Sequence, residues 1–339
     1  MSAKGRSRLQ SEVPFDRDGR HTGFVRLYHS VHESAYGFIP VPIVVIRNGA
    51  GPTALLISGN HGDEYEGQVA LCQLARELEP ARIRGRVIIL PMANFPAGMA
   101  GRRTSPIDGG NLNRLFPGDP DGTVTQQLAH FISSELVPLA DVLVDLHSGG
   151  SSLMYVPSVM TRPMEGPGRE RALAFLRAFA SPIAYLPAGG QGTGDERTLG
   201  GYAATQGKVR LGTELGGSGT VTPAALRLAE RGIRNTLVEA GILPESERVR
   251  AEAPTRILEV GGNAWFVYTP ESGVFEPLVE LGEMVREGQP AARIHFPETP
   301  WRAPVTTHFL RDGFVLCKRI PARTQRGDCL FHLGTDTGL

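Results

Sequence analysis

The sequence has no long apolar run and no excess of charge of either sign. A membrane-spanning helix needs about 20 consecutive apolar residues, and no segment approaches that length. Residues 1–14 are polar and lack the apolar centre of a signal peptide. Lys+Arg and Asp+Glu each number 35, so no net field would attract nucleic acid. We therefore expect a cytoplasmic protein that binds neither nucleic acid nor membrane.

Cysteine is also scarce: the 339 residues include only Cys72, Cys317 and Cys329. An odd number of widely separated cysteines fits free thiols in a reducing compartment better than a disulfide framework or a thiolate zinc site. The Gly-x-Ser-x-Gly motif of many serine hydrolases is absent as well. Hydrolytic chemistry in this chain would need other groups.

The most informative stretch that is present covers residues 53–65. Residues 54–58 form an apolar run too short for a helix, which predicts a buried strand, and apolar residues at helical spacing follow from residue 67. His61 and Glu64 fall between the two elements. Three residues apart at the end of a strand, they could place an imidazole nitrogen and a carboxylate on one divalent metal. The pair alone does not establish a site, because His-x-x-Glu also occurs in solvated loops.

Strand and helix patterns alternate up to about residue 240, with one strand expected over residues 154–159. The alternation predicts an α/β fold with a mixed central sheet and helices on both faces. Residues 245–339 instead show short strands, turn glycines and two similar half-motifs, which predict a small β-barrel or sandwich. We therefore divide the chain into a domain of residues 1–244 and a C-terminal β domain of residues 245–339.

Two further polar residues stand where strands are predicted to end, and ligands of such sheets bind at that edge. Asp145 and His147 share one face of their strand, and a carboxylate beside a ligand histidine orients the imidazole. Together with His61 and Glu64, His147 would complete a metal site with one position open for water. Glu214, flanked by glycines, would suit a general base, although by itself it could equally be an exposed glutamate at a strand end.

A long polar loop, residues 98–122, carries Arg102, Arg103, Asn113 and Arg114. A guanidinium binds a carboxylate through two hydrogen bonds, and an asparagine can add another. Without a metal motif elsewhere, these would be read as solvated loop residues.

His61-Gly-Asp-Glu64, Asn113-Arg114, Asp145-Leu-His147 and Glu214, in this order, resemble the succinylglutamate desuccinylase/aspartoacylase family of the zinc carboxypeptidase-like superfamily. The resemblance covers about residues 40–240. It implies one zinc ion per chain and a zinc carboxypeptidase-like fold. It also implies a role for each matching residue: zinc ligation by His61, Glu64 and His147, proton transfer by Glu214, oxyanion binding by Arg103 in preference to Arg102, and substrate carboxylate binding by Asn113 and Arg114.

Within this family, residues 103–118 are most similar to the Nα-acetyl-L-2,4-diaminobutyrate deacetylases of ectoine degradation. This implies a zinc-dependent amide hydrolase that removes an acetyl group from the α-nitrogen of a small amino acid. The spacing from Arg103 to Asn113 is longer than in aspartoacylase. A cationic substrate side chain would need acidic neighbours such as Asp195 and Glu196, whereas the adjacent Arg197 could bind an anionic group of the substrate.

Three other functions stay open at this point. They are a deacylase of acidic N-acyl amino acids, a zinc carboxypeptidase acting on peptides, and a zinc-binding protein without catalysis. The last would be expected to lack a base, yet Glu214 is present. We expect a small-molecule substrate as the partner, and the sequence leaves open whether the chain forms a homo-oligomer.

Overall fold

The computed structural model describes residues 7–162, 167–187, 196–251 and 253–339. Six α-helices lie in these ranges: α1 Glu66–Glu77, α2 Phe95–Ala100, α3 Val124–Phe131, α4 Pro167–Ala178, α5 Leu199–Thr205 and α6 Pro223–Glu239. No helix of the described ranges is both long and apolar enough to cross a membrane.

The strands up to residue 214 are β1 Gln10–Ser11, β2 Gly19–Tyr28, β3 Phe38–Asn48, β4 Thr53–Ser58, β5 Gly85–Leu90, β6 Val142–Leu146, β7 Leu153–Tyr155, β8 Ser158–Met160, β9 Ile183–Pro187 and β10 Val209–Glu214. The later strands are β11 Arg256–Val260, β12 Phe266–Tyr268, β13 Gly273–Pro277, β14 Met284–Val285, β15 Pro290–His295, β16 Val305–His308, β17 Gly313–Arg319, β18 Arg323–Thr324 and β19 Cys329–Asp336.

The main sheet is mixed, with the order β1-β2-β3-β5-β4-β6-β10-β8-β9-β11-β19-β17-β14. Strands β5, β4, β6 and β10 run parallel at its centre. They are rich in Val, Leu and Ile because both of their faces are covered. The carboxyl ends of β4, β6 and β10 therefore lie side by side at one edge of the sheet.

Helices cover both faces of this sheet, as the alternation along β4 shows. Ala54 and Leu56 pack in a core with residues of α1, α4 and α6. Leu55 and Ile57 point the other way, into a second core with residues of α3 and α5. The predicted mixed α/β sheet with helices on both faces is confirmed.

The C-terminal residues form a small antiparallel sheet, β16-β15-β13-β18, and also extend the main sheet. Strand β11 pairs parallel with β9, and β19 pairs with β11. A separate apolar cluster that includes Phe275, Phe309 and Phe331 fills the β module. The small β module is thus present. The main sheet continues across residue 244, and the division into folding domains at that residue stays a prediction.

One predicted element is wrong in detail. The apolar run at residues 154–159 reads as one strand, but the structure has two, β7 and β8, separated at Val156 and Pro157. Proline has no N–H to donate to a ladder, so the run breaks there. Strand β7 pairs with β17, whereas β8 pairs with β10 and β9.

Candidate active site

The turn after β4 is shaped by glycine. Gly59 has a φ of 69°, in the left-handed region. A Cβ on Gly62 would lie 2.1 Å from the carbonyl carbon of Ala97, so no side chain fits there. The Gly62 N–H donates to the carbonyl of Arg102. This bond ties the His-Gly-Asp-Glu turn to the arginine loop that follows α2.

His61, Glu64 and His147 converge at the edge where β4 and β6 end. One potential ligand atom from each lies within 4.8 Å of the other two, and all three side chains are buried. The Nδ1 atom of His61 is 2.7 Å from one Glu64 oxygen, and Nδ1 of His147 is 2.8 Å from the other. The sequence prediction that these three residues meet is therefore confirmed.

The outer nitrogens of both imidazoles face hydrogen-bond acceptors. Nε2 of His61 lies 3.1 Å from Oδ1 of Asn111, and Nε2 of His147 lies 3.0 Å from Oδ2 of Asp145. A proton held on each Nε2 leaves the Nδ1 lone pairs directed toward Glu64. Two imidazole nitrogens and a carboxylate with fixed orientation fit a divalent metal ion.

The charges of the group favour a cation at its centre. Burial by itself would raise the pKa of Glu64, but His61 and His147 outweigh burial and hold this pKa well below its usual value. Burial would lower the pKa of His147, yet the charges of Asp145 and Glu64 raise it to about 10. The carboxylates thus stabilise positive charge between them, as binding of a metal ion requires.

Glu214, at the end of β10, lines a cavity of about 190 Å³ together with the three residues of the metal group. Its Oε2 atom is buried and has no hydrogen-bond partner among the described residues. Burial and the charge of Glu64 raise the pKa of the Glu214 carboxyl to about 8. A carboxylate with a pKa near neutrality is suited to accept and return a proton.

The two arginines that could bind the oxyanion have different positions in the structure. Arg103 lines the cavity, and its Nη1 lies 3.4 Å from Oε1 of Glu64 with the side chain 45% exposed. Arg102 is exposed and is absent from the described lining of the cavity, although its carbonyl accepts the Gly62 N–H. Position favours Arg103 for a contact with a bound substrate.

Asn113 and Arg114 form one short 3-10 turn and both line the cavity. The Asn113 side chain is buried, and its Oδ1 accepts the Leu199 N–H at 2.9 Å. Its Nδ2 lies 3.3 Å from Nε2 of His147, farther than the Asp145 oxygen at 3.0 Å, so with the proton on Nε2 directed to Asp145 the amide packs beside the ring without donating to it. Asn113 is therefore braced between α5 and the metal group. Its part in carboxylate binding stays a prediction, as does that of Arg114.

Arg197 lies farther from the chemistry. It is exposed and does not belong to the described lining, whereas Thr198, Gly200 and Gly201 do. Its carbonyl accepts the Phe116 N–H. Glu196 is exposed as well, and Asp195 falls outside the described residues. Its role in substrate binding stays a prediction.

Sequence reasoning missed six further residues that line the cavity. They are Tyr155, Arg162, Tyr185, Arg210, Phe266 and His332. Phe266 and His332 come from β12 and β19, so part of the C-terminal region lines the candidate active site. No local signal could have placed them there, because only the pairing of distant strands does so. The sequence did contain a signal for Arg210. It lies four residues before Glu214 on the same strand, and residues an even number apart on a strand face the same way.

Comparison with known proteins is consistent with this geometry. A profile of the succinylglutamate desuccinylase/aspartoacylase catalytic domain matches residues 50–240. N-alpha-acetyl-L-2,4-diaminobutyric acid deacetylase of Halomonas elongata is 43% identical over 326 residues, which are 96% of this chain and 94% of that protein.

Two solved structures are similar over nearly the whole chain. The product-bound ectoine utilization protein EutE (DoeB) of Ruegeria pomeroyi has a TM-score of 0.92 and 39% identity, covering 98% of this chain and 100% of that one. A succinylglutamate desuccinylase/aspartoacylase of Rhodobacter sphaeroides has a TM-score of 0.91 and 41% identity with the same coverage. On this evidence, the chain belongs to the succinylglutamate desuccinylase/aspartoacylase family.

Proposed function

We propose that the protein is a zinc-dependent amide hydrolase that removes the acetyl group of Nα-acetyl-L-2,4-diaminobutyrate, as in ectoine degradation. The observation that carries the reaction class is the buried group of His61, Glu64 and His147 in one cavity with Glu214. The substrate rests on the name of the Halomonas elongata relative, which is 43% identical to this chain.

His61, Glu64 and His147 would hold the zinc ion. Bound zinc supplies Lewis acidity and lowers the pKa of a water molecule towards neutrality. Glu214 takes a proton from the attacking water and returns it to the leaving amine nitrogen, which makes the amine a better leaving group. Arg103 donates hydrogen bonds to the carbonyl oxygen as negative charge develops on it. Arg114 and Asn113 bind a substrate carboxylate, and the hydrogen bond from the Leu199 N–H to Asn113 Oδ1 holds the turn in place.

The shape of the cavity favours a small N-acyl amino acid over a peptide. A volume of about 190 Å³ suits a ligand of that size. Phe266 and His332 from the C-terminal strands also line the cavity and reduce its opening on their side. A carboxypeptidase would need an open cleft for the rest of its peptide.

One observation favours a second candidate, a deacylase of acidic N-acyl amino acids. Four arginines line the cavity: Arg103, Arg114, Arg162 and Arg210. This much positive charge would attract a dicarboxylic substrate and would oppose the side-chain ammonium of diaminobutyrate.

A hydrolysis panel tests the proposal. Purified protein loaded with zinc is given Nα-acetyl-L-2,4-diaminobutyrate, N-acetyl-aspartate, N-succinyl-glutamate and a blocked dipeptide, and free amine is measured. We expect the highest kcat/KM for the diaminobutyrate derivative. Preference for the acidic substrates would support the second candidate, and hydrolysis of the dipeptide alone would contradict both.

A further inference from the structure

Two arginines of the cavity lining stand opposite each other on neighbouring strands. In the antiparallel pair β8–β10, Met160 pairs with Gly212 and Ser158 with Glu214. The same register, continued by two residues, places Arg162 opposite Arg210. The Thr161 hydroxyl donates to the Arg210 carbonyl at 2.7 Å and so joins the segment after β8 to β10 at this point.

Both guanidinium groups belong to the candidate active site. Residues two apart on a strand face the same way, so Arg210 projects from the face that carries Glu214. Both arginines line the cavity that contains Glu214 and the metal group. Arg162 follows β8, on the side of β10 away from β6, whereas Arg210 lies on β10 itself, close enough to Asp145 and Glu214 for their charges to act on it.

Glycines make room for the Arg210 side chain. A Cβ on Gly200 would lie 2.2 Å from Nε of Arg210, and a Cβ on Gly212 would lie 2.6 Å from Nη2. Any larger residue at either place would displace the guanidinium. Gly200 belongs to α5 and Gly212 to β10, so two separate elements leave a slot for one side chain.

In the part of the chain that the structure describes, neither guanidinium in this slot has a direct partner, although the charges of Asp145 and Glu214 act on Arg210 from beyond contact distance. Among the described residues, neither Arg162 nor Arg210 has a salt bridge or a side-chain hydrogen bond, and Nε of Arg210 is buried without an acceptor. Like charges placed directly opposite on adjacent strands repel each other. Buried donors in folded proteins almost always find an acceptor. A bound anion would satisfy the donors and remove the repulsion.

The geometry points to Arg162, Arg210 and the Tyr185 hydroxyl as a subsite for a carboxylate of the amino-acid part of the substrate. Arginine forks bind carboxylates through paired hydrogen bonds. The Tyr185 side chain is 2% exposed, lines the same cavity and makes no side-chain hydrogen bond with the other described residues, so its hydroxyl can donate to the same ligand. This subsite rests on the proposed function and narrows its substrate class. For Nα-acetyl-L-2,4-diaminobutyrate, which has one carboxylate, the subsite would take the α-carboxylate in place of Arg114. For an acidic substrate it would take the side-chain carboxylate, with the α-carboxylate on Arg114.

Kinetics of Arg162→Gln test the subsite, with Arg177→Gln on the exposed side of α4 as the control. Loss of a charge-assisted contact typically costs about ten- to a hundred-and-fifty-fold. We expect such a rise in KM with kcat within about threefold of the parent value. Tyr185→Phe should raise KM less, by about tenfold or under. If Arg162→Gln left the KM unchanged for every substrate that carries a carboxylate, including Nα-acetyl-L-2,4-diaminobutyrate, the subsite would be overturned.

Matched substrates identify the carboxylate. If the α-carboxylate binds here, Arg162→Gln penalises Nα-acetyl-L-2,4-diaminobutyrate but not its α-carboxamide. If a side-chain carboxylate binds here, the variant penalises N-acetyl-aspartate but not N-acetyl-asparagine. Equal effects on each acid and its amide would contradict both assignments.

A direct binding measurement separates this inference from the proposed function. Diaminobutyrate and aspartate are titrated calorimetrically into the parent protein, Arg162→Gln and Arg177→Gln, all loaded with zinc. We expect at least one of the two amino acids to bind the parent and the control equally and Arg162→Gln at least tenfold more weakly, even if the parent hydrolyses no N-acyl amino acid. Binding that Arg162→Gln leaves unchanged, or no binding by the parent, would overturn the subsite while hydrolysis by the parent still stood.

Discussion

At the scale of single residues, two buried glutamates have different surroundings and therefore different roles. Glu64 lies between two imidazoles, which keep its pKa low. Glu214 has an oxygen without a partner, and burial with the charge of Glu64 raises its pKa to about 8. One carboxylate is therefore suited to hold a cation and the other to move a proton.

Replacing Glu214 tests the second of these roles. Glu214→Gln keeps the shape but removes the basic oxygen, so kcat should fall roughly a hundred- to ten-thousandfold. Metal content should stay at the parent level, because the metal group does not include this residue. A variant with the parent kcat, or one that no longer binds metal, would contradict the assignment.

The two adjacent loop arginines form a matched pair for a second test. Arg103 lies 3.4 Å from Glu64 and lines the cavity. Removing one donor to a developing oxyanion typically lowers kcat about a hundred- to a thousandfold, and we expect this of Arg103→Ala. Arg102→Ala should stay within about threefold of the parent value, since its backbone carbonyl makes its contact with the site. Equal losses in both variants would argue for a general effect on the loop.

At the scale of elements, the loop that carries these residues is fixed to the start of α3. Asp108 accepts hydrogen bonds from the Thr125 N–H at 2.7 Å and from the Gly110 N–H at 3.0 Å. Burial alone would raise the pKa of Asp108, but these bonds and that from the Thr125 hydroxyl lower it to about 2. The ionised carboxylate thus connects the loop to the N-terminus of a helix.

This connection predicts a pH dependence of stability. The folded pKa of about 2 lies below the ordinary value of about 3.9, so the stabilisation is complete above about pH 4 and is lost as the pH falls through 2. Asp108→Asn should lower the free energy of unfolding by about 1 kcal/mol at neutral pH. Denaturant unfolding at several pH values checks this. A difference between variant and parent that stayed constant down to pH 2 would contradict it.

At this scale, the sequence correctly predicted the positions of site residues that stand at or just after the end of a strand. The ends of β4, β6 and β10 place His61, His147 and Glu214 at one edge, and the ends of β4 and β6 are readable from short apolar runs. Sequence reasoning failed where the pairing register of two strands determines which residues lie opposite each other. Residues 154–159 read as one strand, so the opposition of Arg162 and Arg210 across β8 and β10 stayed hidden.

At the scale of the whole molecule, the site is built from residues more than 250 positions apart. Strand β19 reaches the main sheet through β11 and brings His332 into the cavity wall. There the His332 ring stacks on Phe266 at 4.5 Å and meets Tyr155 and Tyr185 edge-on. The sequence predicted the C-terminal β module, but only the folded sheet shows that this region lines the cavity.

Activity should require a metal ion held by His61, Glu64 and His147. The most direct test measures metal content by elemental analysis together with hydrolysis of Nα-acetyl-L-2,4-diaminobutyrate, before chelation, after exhaustive chelation and after zinc is added back. We predict about one zinc ion per chain, loss of activity with the metal, and recovery in proportion to the zinc restored. His61→Ala should keep its fold but show neither metal nor recovery. Undiminished hydrolysis by protein shown to contain no metal would contradict the account.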